Sequence, residues 1–443
     1  MSTTPAAPAP EAGHARTLHL SEVLKRPVTD NSGDSLGRLS DVVVRLRGPE
    51  LPLVIGGVVS VGGREVFVPI EQVSEFDGEA LRLGSAKLDL SSFERREGEV
   101  LLRADVLGHR LIDVEAARLI KAADLELEER HGEWVLTGVD TRRRRGWLGA
   151  LFGRGEAESD PHQFREWSRF EPLIGHTSSL TTRGPFGRIR RLKPAQIADL
   201  IEDASKEEET EILGQVHADP ELEADVFEEL DEDLATRLLG ARTDAEIAEV
   251  LSRMRADDAA DAIAELPQQR RQPVLDLLPA GQRTKVLTLM GFNPTSAGGL
   301  MGVDFLMVAC HGQVRDALDA VASSVSVQPE ALTSVHCVDE RGRLCGVASL
   351  ISLVQADPAA PLSEIYDDDP VRVGADTDVV DVAVLMSDYN LITVPVVDQD
   401  RRMIGLITVD DVLEVTLPED WRRRETAQPP DAHRGGAETG GEQ

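Results

Sequence analysis

The side chains best placed to do chemistry in this sequence are carboxylates. Asp257, Asp258 and Asp261 fall within one helical turn of Ala256-Asp257-Asp258-Ala259-Ala260-Asp261-Ala262-Ile263, and Asp411 and Glu414 are three apart in Asp410-Asp411-Val412-Leu413-Glu414. Helical residues three apart share a face, so Asp258 with Asp261, and Asp411 with Glu414, each present paired oxygens. Hard divalent cations take oxygen ligands, and Mg2+ keeps several of its waters. A solvated acidic face has the same pattern, and the sequence assembles no complete coordination shell. An enzymatic reading finds little, because GxxxxGK[ST], HExxH and GxSxG are all absent. Cys310, Cys337 and Cys345 include no CxxC pair, which argues against a zinc ribbon or a disulfide framework and for a reducing compartment. The ten histidines are scattered, and His109, His131, His217 and His336 are expected on surfaces or in satisfied pockets.

The charge is strongly acidic and uneven. The 443 residues hold 79 acids and 47 bases, a net charge of −32. Residues 193–300 hold 24 acids and 10 bases (net −14), and residues 301–420 hold 22 and 6 (net −16), which leaves 33 acids and 31 bases elsewhere. Nucleic acid is not an expected partner, since phosphate attraction needs a basic face. Two adjacent acidic segments repel each other unless cations or protons intervene; solubility alone would also favour such a charge. No run approaches 18 apolar residues, so no membrane-spanning helix is expected. MSTTPAAPAPEAGHA lacks the order of a secretory signal, and ETAQPPDAHRGGAETGGEQ is too polar to pack. Both are read as disordered tails (1–17 and 421–443), and the protein is expected to be cytoplasmic.

The elements that must position these acids divide the chain. Residues 18–140 are rich in β-branched residues and glycine, with Gly62-Gly63 where a two-residue hairpin turn belongs. Leu36-Gly37-Arg38-Leu39-Ser40-Asp41-Val42 is echoed, with one insertion, by Leu107 to Val114, with the glycine expected at a turn and Asp-Val at a strand start. This antiparallel β module resembles PRC-barrel domains, which serve as binding platforms. Residues 141–192 read as a linker. Its basic cluster Arg142–Arg145 beside Trp147, Leu148, Leu151 and Phe152 supports peripheral membrane contact at most. Residues 193–300 show apolar residues at helical spacing and units recurring every 24–26 residues, the pattern of a superhelical all-α array. Residues 301–360 and 361–420 each read helix, strand, turn, strand, helix, with Thr377 as the candidate cap of the helix that follows it.

The tandem α/β units, and VPVVDQDRRMIGLITVDDV in particular, resemble a CBS pair. Helical repeats followed by FNPTSAGGLM and two such units resemble the cytosolic region of MgtE magnesium transporters, without their membrane pore. The fold class expected is therefore multidomain α+β: PRC-barrel-like module, helical superhelix, tandem CBS pair. The resemblance implies cation sites between the helical array and the CBS pair, with Asp258, Asp261, Asp411 and Glu414 as candidate Mg2+ ligands. It also implies a site for ATP or AMP at Gly405-x-x-Thr408-x-x-Asp411. There the Asp411 carboxylate would accept from ribose hydroxyls and Val394 and Pro395 would line the base pocket. The first unit has Ser352 where that acid belongs. The function expected is a non-catalytic sensor of Mg2+ and of adenine nucleotide, homodimeric through its CBS units and acting on an unknown protein partner, such as a membrane transporter. The alternative is a scaffold or accessory subunit that senses nothing.

Overall fold

The valine- and glycine-rich strands between Thr17 and Glu166 form an eleven-stranded curled sheet in the computed structural model. The structure describes residues 16–142, 164–173 and 187–417, apart from positions 49, 78, 85–90, 92, 97, 325 and 326. Both tails, and the basic segment from Arg143 to Phe152, lie outside the described residues. The chain divides into two compact units, Met1–Leu238 and Leu239–Gln443.

In the first unit, strands Glu50–Val61 and Arg64–Pro69 pair antiparallel across Gly62 and Gly63. Their φ values of +57° and +85° suit glycine and match the twist of the strands they join. One face of the sheet buries Leu39, Val44, Val59, Leu125, Leu127 and Leu136, and Phe76 meets Trp134 edge-on at 5.2 Å. The repeated motif does not fold twice in the same way. Gly108 makes a turn (φ +83°), but Gly37 lies inside the strand Ser35–Arg47, where a Cβ would come within 2.4 Å of the Ser60 carbonyl oxygen. Asp41 is mid-strand and Asp113 ends the strand Arg110–Asp113, so neither Asp-Val pair begins a strand. What the two copies share is a buried acid. Asp41 accepts hydrogen bonds from the Arg103 and Ala104 amides at 2.7 and 3.0 Å, and Asp113 pairs with Arg165 at 3.0 Å.

Helices Pro194–Asp203, Lys206–Val216 and Pro220–Glu229 complete the first unit. Arg110 ties the β module to them: Nε donates to Glu208 at 2.9 Å and Nη1 to Asp203 at 3.1 Å. The hydrogen bond from Arg110 holds the Glu208 carboxyl down at about 2.

The second unit opens with helices Asp244–Leu251, Ala256–Glu265, Gln268–Leu277 and Ala280–Leu289. Alternate helices stack, the first on the third and the second on the fourth, which is the 24-residue period of the sequence seen as packing. Thr243 and Glu246 form a reciprocal capping box, and Pro267 and Pro279 precede the later two helices. Two α/β units follow. In the first, strands Met307–Ala309, Ser334–Val338 and Leu344–Ser349 make a three-stranded sheet; in the second, Val373–Gly374, Thr393–Val397 and Met403–Thr408 repeat its order and pairing. The two units meet through equivalent residues. Ser334 Oγ lies 2.7 Å from Thr393 Oγ1, and Arg343 bridges to Arg402. Asp378, rather than Thr377, caps the helix Val379–Tyr389, because its side chain accepts from the Val380 amide.

Ala297-Gly298-Gly299-Leu300-Met301 stitches the helical layer to the second α/β unit. The Ala297 and Gly298 amides donate to Thr377 and Ala375 carbonyls at 2.7 and 2.8 Å, and Gly302 exchanges backbone hydrogen bonds with Leu406. A Cβ on Gly299 would lie 2.4 Å from the Asn293 oxygen and 2.7 Å from Pro294 Cα, both rigid backbone. Gly299→Ala is therefore expected to destabilise the second unit by about 1–3 kcal/mol, the range for overpacked sites. Urea unfolding checks this, and an unchanged midpoint would show that the junction gives way freely.

Candidate functional site

The N-terminus of Ala256–Glu265 faces the N-terminus of the helix Val409–Thr416, and the acids of both converge on one arginine. Arg255 is the N-cap residue of the first helix. Gln282 Nε2 fixes the turn before it by donating to the Leu251 and Met254 carbonyls at 3.2 and 2.9 Å. Arg255 Nε donates to Asp258 Oδ2 at 2.6 Å, Nη1 donates to Asp411 Oδ1 at 3.0 Å, and Nη2 stands 3.9 Å from Asp257 Oδ2. Asp411 Oδ2 is also committed: it accepts from the Thr408 amide and the Thr408 hydroxyl, each at 2.9 Å, closing a capping box. A ribose hydroxyl seeking this carboxylate would have to share Oδ1 with Arg255.

The structure thus brings together Asp258 and Asp411, from opposite sides, with Asp257 beside them. Asp261 and Glu414 are exposed on their helices. Val394 and Pro395 are buried in the Thr393–Val397 strand, opposite Ile407 and Leu406. Among the described residues, no group of three histidine, cysteine or acidic side chains is arranged to hold a metal ion. The acids do not fit a directly chelated cation in this arrangement, because a guanidinium stands between them.

Sequence reasoning missed Arg255, although an arginine three residues before Asp258 was a readable signal. His336, expected on the surface or in a satisfied pocket, is fully buried in a pocket that satisfies only one of its ring nitrogens. Its Nδ1 lies 3.4 Å from the Leu306 carbonyl and its Nε2 has no partner, and burial lowers its pKa to about 4, so the ring is neutral. His336 holds the strand position that Pro395 holds in the second unit. Burial pushes the Cys337 thiol up to about 12, which leaves it unreactive near neutral pH.

Residues 192–295 match the MgtE intracellular N domain family, and residues 362–417 match the CBS domain family. The helical stretch is thus similar to MgtE intracellular N domains, and the last α/β unit to CBS domains. The magnesium transporter MgtE of Thermus thermophilus is 38% identical over 162 residues, 36% of this chain and 36% of that protein. MgtE of Bacillus subtilis is 24% identical over 233 residues, 52% of this chain and 51% of that protein. The chain therefore spans about half, or less, of the relatives it matches. A crystal structure of the cytosolic domain of the Mg2+ channel MgtE in complex with ATP aligns at 31% identity over 51% of this chain and 92% of that one, with a TM-score of 0.48. No helix among the described residues is long and apolar enough to cross a membrane.

The segment similar to MgtE N domains and the segment similar to CBS domains meet at a cluster that is short of positive charge. Burial works against the Arg255 charge, and Asp258 and Asp257 more than restore it, so the guanidinium stays protonated. Burial, then the Asp258 charge, push the Asp257 carboxyl from 3.8 up to about 7. A carboxyl raised in the folded state is easier to ionise in the unfolded one, so it costs stability as pH rises. Between pH 3.8 and about 7 the wild type should lose stability relative to Asp257→Asn, with the two curves parallel above that window. Chemical unfolding of both proteins across this pH range checks the difference, and curves parallel throughout would mean that Asp257 titrates normally.

Proposed function

We propose that this chain is a non-catalytic, cytoplasmic regulatory protein of the magnesium-transport type, whose output is the packing of its MgtE N domain on its CBS pair. The observation that carries this reading is the convergence of Asp257, Asp258 and Asp411 on Arg255. Three carboxylates and one guanidinium leave a deficit of two positive charges when all are ionised (−3 + 1 = −2). Protons or a divalent cation can make up the deficit. A hydrated Mg2+ drawn to Asp258 and Asp411, with Asp261 and Glu414 on the exposed flanks, would bias the packing by its different affinity for the joined and separated arrangements. Similarity to MgtE transporters supports Mg2+ as the ion. Nucleotide, as ATP or AMP, is the finer part of the proposal: it would bind at Val394, Pro395, Thr408 and Asp411 by loosening the Arg255 contact.

Exposed apolar side chains on the outer helices support a homodimer through the CBS pair. Ile351 and Val354 stand on one helix, Val380 and Val384 on a second, Leu413 and Leu417 at the third. The commonest soluble assembly is a two-fold dimer burying such faces. Sedimentation of the full chain should give a dimer at micromolar concentration; a monomer would remove this part.

A second reading, a scaffold or accessory subunit of a separate membrane transporter that senses no ligand, is favoured by Arg255 itself, which already supplies a cation between the acids. Thermal unfolding of the full chain separates the two. Under the sensing reading, Mg2+ at about ten times its Kd adds about 1.4 kcal/mol, raising the midpoint, and Asp258→Asn or Asp411→Asn reduces the rise. Identical midpoints in chelator and in millimolar Mg2+ would leave only the connector.

A further inference from the structure

We propose that Arg255 is a built-in latch: an intramolecular cation that joins the MgtE N domain to the CBS domain without any metal, and so sets how much divalent cation is needed to change that joint. The inference rests on the Mg2+ reading only for its second half; the latch itself rests on geometry.

Arg255 contributes each arm of its guanidinium to a different carboxylate. Nε goes to Asp258 on its own helix, Nη1 crosses to Asp411 of the CBS domain at 3.0 Å, and Nη2 faces Asp257. Side-chain exposure is 27% for Arg255, 8% for Asp411 and 11% for Asp257, so solvent and salt screen the group weakly. Of the hydrogen bonds and ion pairs described between the helical layer and the Val409–Thr416 helix, this one carries the charge. Elsewhere the helical layer is joined to the α/β units through the backbone contacts of Ala297–Met301 and through the more exposed ion pair of Lys285 with Asp304. The side chain is held before it makes the contact, because Gln282 pins the two carbonyls preceding it. A planar, permanently charged fork on a fixed turn fills the role of a bridging ion with no loss of translational freedom. Like charges on Asp258 and Asp411 that would push the domains apart are therefore already offset within the chain. A divalent cation must compete with a group that is covalently present at high effective concentration.

The latch has a second consequence. Asp411 Oδ1 is the one oxygen of that carboxylate not taken by Thr408, and Arg255 donates to it. Opening the latch is what exposes Asp411 to any external ligand, whether a metal ion or a hydroxyl.

The test uses the full chain as Arg255→Gln, which keeps a polar side chain but not the charge, and as Arg255→Lys, which keeps the charge but not the fork. Thermal midpoints are read in chelator and in MgCl2. The expected result is a small Mg2+ shift in the wild type. In Arg255→Gln, the midpoint in chelator should fall by several degrees, and Mg2+ should recover most of the loss. Arg255→Lys should lie between. A midpoint in chelator unchanged by Arg255→Gln would overturn the latch, and equal, non-zero Mg2+ shifts in Arg255→Gln and wild type would overturn its control of the cation requirement. A fall in chelator that Mg2+ does not rescue keeps the latch and removes the sensing reading, so the two failures are distinguishable. Should Arg255→Gln not fold, the Arg255→Lys and Asp411→Asn pair replaces it. Latching predicts that the double variant loses less than the sum of the singles; strict additivity would overturn it.

Discussion

Two adjacent, strongly acidic segments have to share a boundary, and a guanidinium between three carboxylates offsets the charge where they meet most closely. Bare carboxylates facing each other at low exposure would either take up protons or move apart. Arg255 reduces the repulsion, and the Asp257 carboxyl is raised by its burial first and by the neighbouring Asp258 charge second. The net stabilisation from such a buried cluster is small, because the cost of desolvating four charged groups offsets most of their attraction. Its value lies in selectivity. A misaligned helical layer would leave Asp411 without Arg255 and Arg255 without Asp411, and either loss is far costlier than the pair is favourable.

That alignment also depends on the apolar packing beside the cluster. Met301 is fully buried, and it packs where a Cβ on Gly405 would intrude, with Met301 Sδ at 2.3 Å from that position. Gly405 is the first residue of the Gly-x-x-Thr-x-x-Asp pattern. Each residue of the pattern thus has a structural duty here: Gly405 admits Met301, Thr408 caps its helix, and Asp411 completes the capping box and meets Arg255. Ligand recognition at this pattern would be added to those duties rather than being their sole origin.

The order of elements was legible because it depends on periodicity and punctuation. The helical period of 24–26 residues, the glycine pair in the first hairpin and the strand–turn–strand of the CBS units all follow from local physics. The paired turns of the α/β units were not legible, since Ser334 and Thr393 meet only through the tertiary fold. The β echo misled for a related reason. Leu-Gly followed by Leu after one or two intervening residues suits both a turn at Gly108 and a close strand crossing at Gly37, and only the neighbouring Ser60 strand decides between them. At the site, spacing paired Asp258 with Asp261 and Asp411 with Glu414, the resemblance alone set the two helices against each other, and neither told what stood between them. An arginine at a helix N-cap is against local expectation, since cations are disfavoured at that end of the dipole. It is explained only by the carboxylates that the fold supplies around it.

The two α/β units make the functional asymmetry of the pair explicit. Ser349 caps Leu350–Gln355 by accepting from the Ser352 amide, as Thr408 caps Val409–Thr416 by accepting from the Asp411 amide. The backbone geometry is duplicated, but the carboxylate is not. In the first unit the third helical position carries a hydroxyl, 2.7 Å from Ser349 Oγ, which can offer no charge to an arginine. The helical layer therefore grips the two units differently: Arg255 reaches the capping carboxylate of the second, and Lys285 reaches Asp304 at the edge of the first. A ligand that acts on a capping carboxylate must therefore act at the second unit, while the first is joined to its twin by the Ser334–Thr393 hydrogen bond, the bridged turns and an apolar cluster that includes Leu344, Val397, Met403 and Leu406.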